Sequence, residues 1–140
     1  MFYRMQLLKD DLLLIRWQSK PMEGYKPQTE YIAELRNYLD AATQPIYVVS
    51  DLRRGKITDV HMLQQLGRLT YHPMYGGGVA FADDISAEVY VGVFSHFAAR
   101  SKREREVYNS LADALAHLET LKAGISAGVD WESLHQQLQD

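Results

Sequence analysis

The chain has 140 residues, of which 46% are hydrophobic and 24% charged, and these values are typical of one globular domain. It contains no cysteine, which excludes disulfides, thiolate nucleophiles and cysteine-ligated zinc. The formal net charge of −3 argues against a nucleic-acid-binding protein, which normally carries a basic excess. The N-terminus lacks the features of a signal peptide, and no stretch approaches the ~20 apolar residues of a membrane helix, so we expect a cytoplasmic protein that does not span a membrane.

The N-terminal third predicts a hairpin followed by a helix. Apolar runs on both sides of Asp10 and Asp11 predict two strands joined by a tight turn. After a loop that contains two prolines, apolar residues recur at helical spacing over 28–42, which predicts the first helix.

A buried strand and a second helix are predicted next. The short β-branched run 45–51 predicts the strand, and the pattern becomes helical from Asp59, which suits an N-cap. Spacing at 100° per residue places Val60 on the apolar side of this helix, with four further apolar residues. It places His61 and Arg68 on the opposite, solvent-facing side.

The run HPMYGGG at 72–78 invites comparison with a phosphate-binding loop. Such a loop lies between a strand and the N-terminus of a helix, whereas here the order is helix, glycines, strand. We therefore expect a flexible start to a strand over 76–84, with Tyr71 and Tyr75 packed nearby.

The C-terminal half predicts a helix over 86–100 that is apolar almost all round, a brief edge strand within 104–110 and an amphipathic helix over 110–121. The element order predicts an α/β fold: a mixed, mostly parallel sheet of about five strands, with an N-terminal hairpin and covering helices. We expect one domain over 1–122 and a C-terminal helical tail over 123–140.

Two stretches carry a family resemblance. VVSDLRRGKITDVHML at 48–63 and REVYNSLADALAHLETL at 105–121 resemble the STAS domains of anti-sigma-factor antagonists, and more closely their divergent SpoIIAA-like relatives. The resemblance covers about residues 1–122 in element order. It implies a SpoIIAA-like fold and a regulatory role in which the domain contacts other proteins.

The chain departs from this family at the regulatory site. In phospho-regulated antagonists the loop carries an aspartate followed by a phosphorylatable serine or threonine. Asp59 falls at the aspartate, but Val60, His61 and Met62 follow it, so the phosphoacceptor is missing. Thr58 precedes the aspartate and does not match the motif, so we do not expect it to be phosphorylated, although a phosphate suits a helix N-terminus.

Candidate catalytic residues are few. Asp51 ends a buried strand at the edge where open α/β sheets bind ligands, and with Asp59 and His61 it defines an enzyme hypothesis. The competing interpretations are that Asp59 caps a helix and that Asp51 orders the loop or pairs with Arg53 or Arg54. The five histidines show no metal-ligand spacing, so no metal or cofactor is expected.

Three hypotheses follow. The first is a non-catalytic STAS-like module for protein interaction or regulation, which self-associates as a homodimer because the helix 86–100 has almost no polar face. The second is a binding domain for a small apolar or anionic ligand, and the third, well behind, is an Asp/His-dependent enzyme. The residues proposed for a ligand or partner surface are Asp51, Arg53, Arg54, Asp59, His61, Trp17, Tyr90, Phe94 and His96.

Overall fold

The structure is a computed structural model, and it describes residues 3–17, 25–54, 60–82 and 107–137. The elements are β1 (Tyr3–Lys9), β2 (Leu12–Trp17), α1 (Tyr25–Ala41), β3 (Ile46–Asp51), α2 (Val60–Leu69), β4 (Tyr75–Phe81), β5 (Val107–Tyr108), α3 (Leu111–Leu121) and α4 (Trp131–Gln137). Their order confirms the one predicted from the sequence. The predicted helix 86–100 lies outside the described residues.

The five described strands form one sheet in the order β1-β2-β3-β4-β5. β1 and β2 pair antiparallel as a hairpin, and the remaining neighbours pair parallel. This confirms the predicted mixed, mostly parallel α/β sheet. Parallel neighbours need crossover connections, and two crossovers of the same hand place α1 and α2 on the same face of the sheet.

The face that carries α1 and α2 holds the first apolar core. Leu13 and Ile15 of β2 are 0% and 1% exposed, and they pack with Leu39 of α1 and Met62 of α2, both 0% exposed. All six residues of β2 are buried because helices cover both faces of the sheet, which explains the unbroken apolar run Leu12–Ile15.

The opposite face holds the second core. Leu12, Leu14 and Val49 pack there against Leu118 of α3 and Ile125 of the segment that follows it. The helix α3 begins at a capped position, where the Oγ of Ser110 accepts a hydrogen bond from the backbone N–H of Asp113 at 3.1 Å. The described part of the predicted tail thus contributes to the core of its own chain.

Two details differ from the prediction. Val60 is 56% exposed, because it is the first residue of α2 and the buried side of the helix is formed by Met62, Leu63, Leu66, Gly67 and Leu69. Tyr71 is 67% exposed and does not pack on the glycines at 76–78, whereas the hydroxyl of Tyr75 lies beside Gly78, as predicted. The glycines themselves lie within β4, in agreement with the predicted strand over 76–84.

The aromatic ring over the glycines belongs to Tyr47 of β3. A Cβ atom on Gly76 would lie only 2.7 Å from the Cζ atom of that ring. Glycine is therefore required by close approach of a neighbouring side chain, a requirement that the glycine spacing alone did not reveal.

None of the helices within the described ranges is both long enough and apolar enough to cross a membrane.

Candidate functional site

The candidate site lies at the carboxyl end of the parallel strands, where open α/β sheets commonly bind ligands. The register aligns Arg16 of β2 with Asp51 of β3, and Asp51 with Phe81 of β4. Alternate residues of these strands share a face, so this row belongs with Leu14, Val49 and the second core. It is the last row in which β2, β3 and β4 are all aligned.

Asp51 is almost fully enclosed, with a side chain only 3% exposed. Its Oδ1 accepts hydrogen bonds from the backbone N–H and the Nε of Arg53, both at 3.1 Å. Its Oδ2 accepts from the Nη2 of Arg53 at 2.9 Å. Two parallel N–H donors thus engage both oxygens, which is the strong, geometrically specific form of an arginine–carboxylate pair. Asp51 orders the residues that follow β3.

The same guanidinium makes two further contacts. Its Cζ lies 5.2 Å from the ring centroid of Phe81, a distance at which cation–π attraction operates. Its Nη1 is 3.0 Å from the Nε2 of His135 in α4, and its Nη2 donates to the His135 carbonyl oxygen at 3.4 Å. Arg53 therefore joins the end of β3 to the C-terminal helix, 82 residues away along the chain.

A second arginine lies in the same row. Arg16 is 6% exposed, and its Nη2 donates to the Oε1 of Gln6 at 3.4 Å. Burial lowers the pKa of the Arg16 guanidinium; Arg4 and Arg53 act in the same direction and Asp51 opposes them. The register places Arg16 next to Asp51, whose carboxylate is bound by the guanidinium of Arg53.

The remaining described candidates lie apart from this cluster. Arg54 is exposed, although it directly follows Arg53. His61 is exposed on α2, and its Nε2 is 3.3 Å from the Nε2 of Gln65. Its solvent-facing position was predicted from helical phase and is confirmed. The structure therefore brings Asp51 and Arg53 together and leaves Arg54 and His61 at the surface.

Trp17 belongs to an aromatic cluster on the first-core face. It is 2% exposed, and its ring centroid lies 4.8 Å from that of Tyr31 and 5.9 Å from that of Tyr3. Burial raises the pKa of Tyr31, and burial together with a hydrogen bond to Glu34 raises that of Tyr3. The ring of Trp17 is thus engaged by its own domain.

Five proposed residues lie outside the described residues: Thr58, Asp59, Tyr90, Phe94 and His96. The N-cap role of Asp59 and the ligand-wall roles of Tyr90 and Phe94 remain predictions. Among the residues that the structure describes, no group of three or more His, Asp or Glu side chains could hold a metal ion.

The described geometry does not favour acid–base chemistry at Asp51. A general base needs a carboxylate oxygen within hydrogen-bond reach of a substrate proton. Both oxygens of Asp51 instead accept from Arg53, and His61 has its contact with Gln65 on its own helix. The arrangement can fix a loop and present basic side chains at the edge of the sheet.

Sequence reasoning missed two members of the cluster. Arg16 interrupts the apolar run of β2, and a charged residue in a strand buried on both faces was the available signal. His135 carried no comparable signal, because its contact with Arg53 joins two distant parts of the chain.

Comparisons with known proteins identify a solved structure with a similar fold. No family model matches the chain, and no curated protein matches it. Among solved structures, the anti-sigma factor antagonist SpoIIAA in its unphosphorylated form is similar, with a TM-score of 0.59 and 11% sequence identity. The match covers 84% of this chain and 96% of that one. The chain therefore has the STAS-like α/β fold of SpoIIAA, as the resemblance of its sequence implied.

Proposed function

We propose that this chain is a non-catalytic interaction module with a STAS-like fold, which regulates a partner protein by binding to it. The main support for the proposal is that the carboxylate of Asp51 is already bound by Arg53. The carboxylate best placed for chemistry at the ligand-binding edge of the sheet is 3% exposed and is held on both oxygens by Arg53. That contact organises a surface, which is what a binding module requires.

The structural likeness supports a protein as the binding partner. The similar solved structure is that of an anti-sigma factor antagonist, a protein that acts on another protein. That structure is of the unphosphorylated form, so that protein also has a phosphorylated form. In this chain Val60, His61 and Met62 follow Asp59, so we propose a partner interaction that is not switched by phosphorylation at that position.

We place the partner surface on the exposed residue that follows the Asp51–Arg53 pair and on the solvent-facing side of α2. Arg54 follows the ordered pair and is exposed, and His61 is exposed at the start of α2. Arg68, which is also basic and exposed, lies on the same helix. Basic and polar side chains at the rim of such a surface would favour an acidic region of the partner.

The test is capture of binding proteins from the source organism, compared quantitatively between variants. Arg54→Glu and His61→Glu should each lower recovery of the specific partner at least tenfold. Arg36→Glu is the matched control, because Arg36 is an exposed arginine on α1, and it should leave recovery unchanged. Equal recovery with all three variants would contradict the proposed surface.

Self-association is proposed from the sequence of 86–100 alone. Native mass spectrometry of the freshly purified chain tests it, and a dimer without added mass is the expected result. A reproducible small-molecule mass would replace this proposal with the ligand-binding hypothesis, in which Tyr90 and Phe94 line a site and the buried ring of Trp17 supports it from behind or is not involved. A turnover activity abolished by Asp51→Ala or His61→Ala would overturn the non-catalytic assignment.

A further inference from the structure

The C-terminal helix α4 depends on its neighbours for its order. It has seven residues, and a helix of this length is not stable in water by itself. Trp131 and Leu134, three residues apart on one side of the helix, are partly buried against the second core. The Nε1 of Trp131 also donates to the carbonyl oxygen of Ser126 at 2.9 Å.

The loop before α4 is attached to the domain much more extensively. Ile125 is 1% exposed, and the Nζ of Lys9 donates to its carbonyl oxygen at 2.9 Å and to that of Ala127 at 3.2 Å. The carboxylate of Glu119 accepts from the backbone N–H of Ser126 at 2.9 Å. The loop is thus a fixed point from which α4 extends.

Gly128 lies between this fixed loop and α4. Its φ of 81° is in the left-handed region, and a Cβ atom at this position would meet nothing within 4 Å. A residue with this backbone freedom at the end of an element can absorb the dihedral change of a hinge.

Besides the hydrogen bond from Trp131 to Ser126, α4 has a polar attachment to the side chain of Arg53. Because a guanidinium only donates hydrogen bonds, Nη1 of Arg53 is the donor in this contact and the Nε2 of His135 is the acceptor. The same guanidinium binds the carboxylate of Asp51. One side chain therefore holds both the residues after β3 and the C-terminal helix.

We propose that α4 is a displaceable latch over the carboxyl end of the sheet, coupled through Arg53 to the loop residues 52–54. Loosening either side loosens the other, because the coupling of two sites is reciprocal. An anionic group that draws the guanidinium of Arg53 away from His135 would free α4 to move about Gly128. This inference goes beyond the proposed function and needs no identified partner.

Hydrogen exchange of the full-length protein, followed by mass spectrometry, tests the latch. His135→Ala should speed exchange about tenfold in 131–137, because it removes a hydrogen bond to a charged donor. It should also speed exchange of the backbone N–H of Arg53, which binds Asp51 at 3.1 Å. Arg53→Met should speed exchange in 131–137 to a similar extent.

The controls separate coupling from general loosening. His135→Gln keeps an acceptor near the position of Nε2 and should restore slow exchange at both sites. Arg54→Met changes the neighbouring exposed arginine and should leave 131–137 unaffected. Peptides of α3 report global stability, and their exchange should stay slow in every variant.

The latch is overturned if His135→Ala speeds exchange in 131–137 while the N–H of Arg53 stays as protected as in the parent protein. It is overturned equally if Arg53→Met leaves α4 unchanged. Should Arg53→Met loosen the whole domain, the two His135 variants decide the question. None of these results depends on a binding partner, so the latch and the proposed interaction surface fail or succeed separately.

Discussion

The buried cluster of two guanidiniums and one carboxylate predicts an asymmetry between two substitutions. Asp51→Asn removes the carboxylate and leaves the cations of Arg16, which is 6% exposed, and Arg53, whose side chain is 10% exposed, without that negative charge. Arg53→Met removes one cation and leaves Asp51 beside Arg16, its neighbour in the register. The two substitutions break the same pair, yet the charges that remain differ.

The expected magnitudes follow from burial. The side chains of Asp51 and Arg53 are 3% and 10% exposed, so solvent screens their pair weakly. Breaking a buried pair and leaving unbalanced charge costs about 3–5 kcal/mol, which we expect for Asp51→Asn. Losing hydrogen bonds to a charged group without stranding a charge costs about 1.5–3 kcal/mol, which we expect for Arg53→Met.

Urea denaturation followed by circular dichroism measures both values, with an unchanged m-value as the condition for comparing them. Against a total stability of about 5–15 kcal/mol, both variants should remain folded at low temperature in the absence of urea. The double variant should cost less than the sum of the single ones, because the two residues contact each other. If Arg53→Met lowers the free energy of unfolding as much as Asp51→Asn or more, the argument that Arg16 still balances the charge of Asp51 is refuted.

Two further predictions concern packing and pH. Gly76→Ala should destabilise the domain by about 1–3 kcal/mol in urea denaturation, because the new Cβ meets the ring of Tyr47. In a Tyr47→Ala background the same substitution should cost almost no stability. An undiminished cost in that background would contradict the steric explanation. Hydrogen bonds from Ser126 and Gly124 lower the pKa of Glu119 from 4.5 to about 2, so its stabilising effect is fully present above pH 4.5 and is lost as the pH falls towards 2. The stability difference between the parent protein and Glu119→Gln should therefore shrink over that interval, and a difference independent of pH would exclude this role.

The fold was predictable because its signals are local and repeated. The alternation of β-branched runs with helical patterns predicted the mostly parallel sheet, and no long-range information was needed for the element order. What the sequence did not predict depends on contacts from elsewhere in the chain. The glycines at 76–78 lie in the predicted strand, but the ring of Tyr47 that requires glycine at position 76 is not indicated by their own spacing.

The candidate site was predictable in part. Asp51 and Arg53 are two residues apart, so an ion pair between them could be expected from sequence, and the structure has it. The position of Asp51 at the edge of the sheet followed from the predicted strand. Arg16 and His135 could not be assigned to the same place, because strand register and the course of the tail bring them there.

The sequence alone determined the α/β class, the order of the elements and the absence of a phosphoacceptor after Asp59, because each depends on residue types at short spacing. Only the tertiary structure decided which charges share the carboxyl end of the sheet and that the described tail packs on its own domain. These features depend on contacts across many residues, and the free energy of such contacts comes from burial and geometry that no local pattern encodes. The contact of Arg53 with Asp51 could be expected from the sequence, whereas its contact with His135 was decided by the tertiary structure.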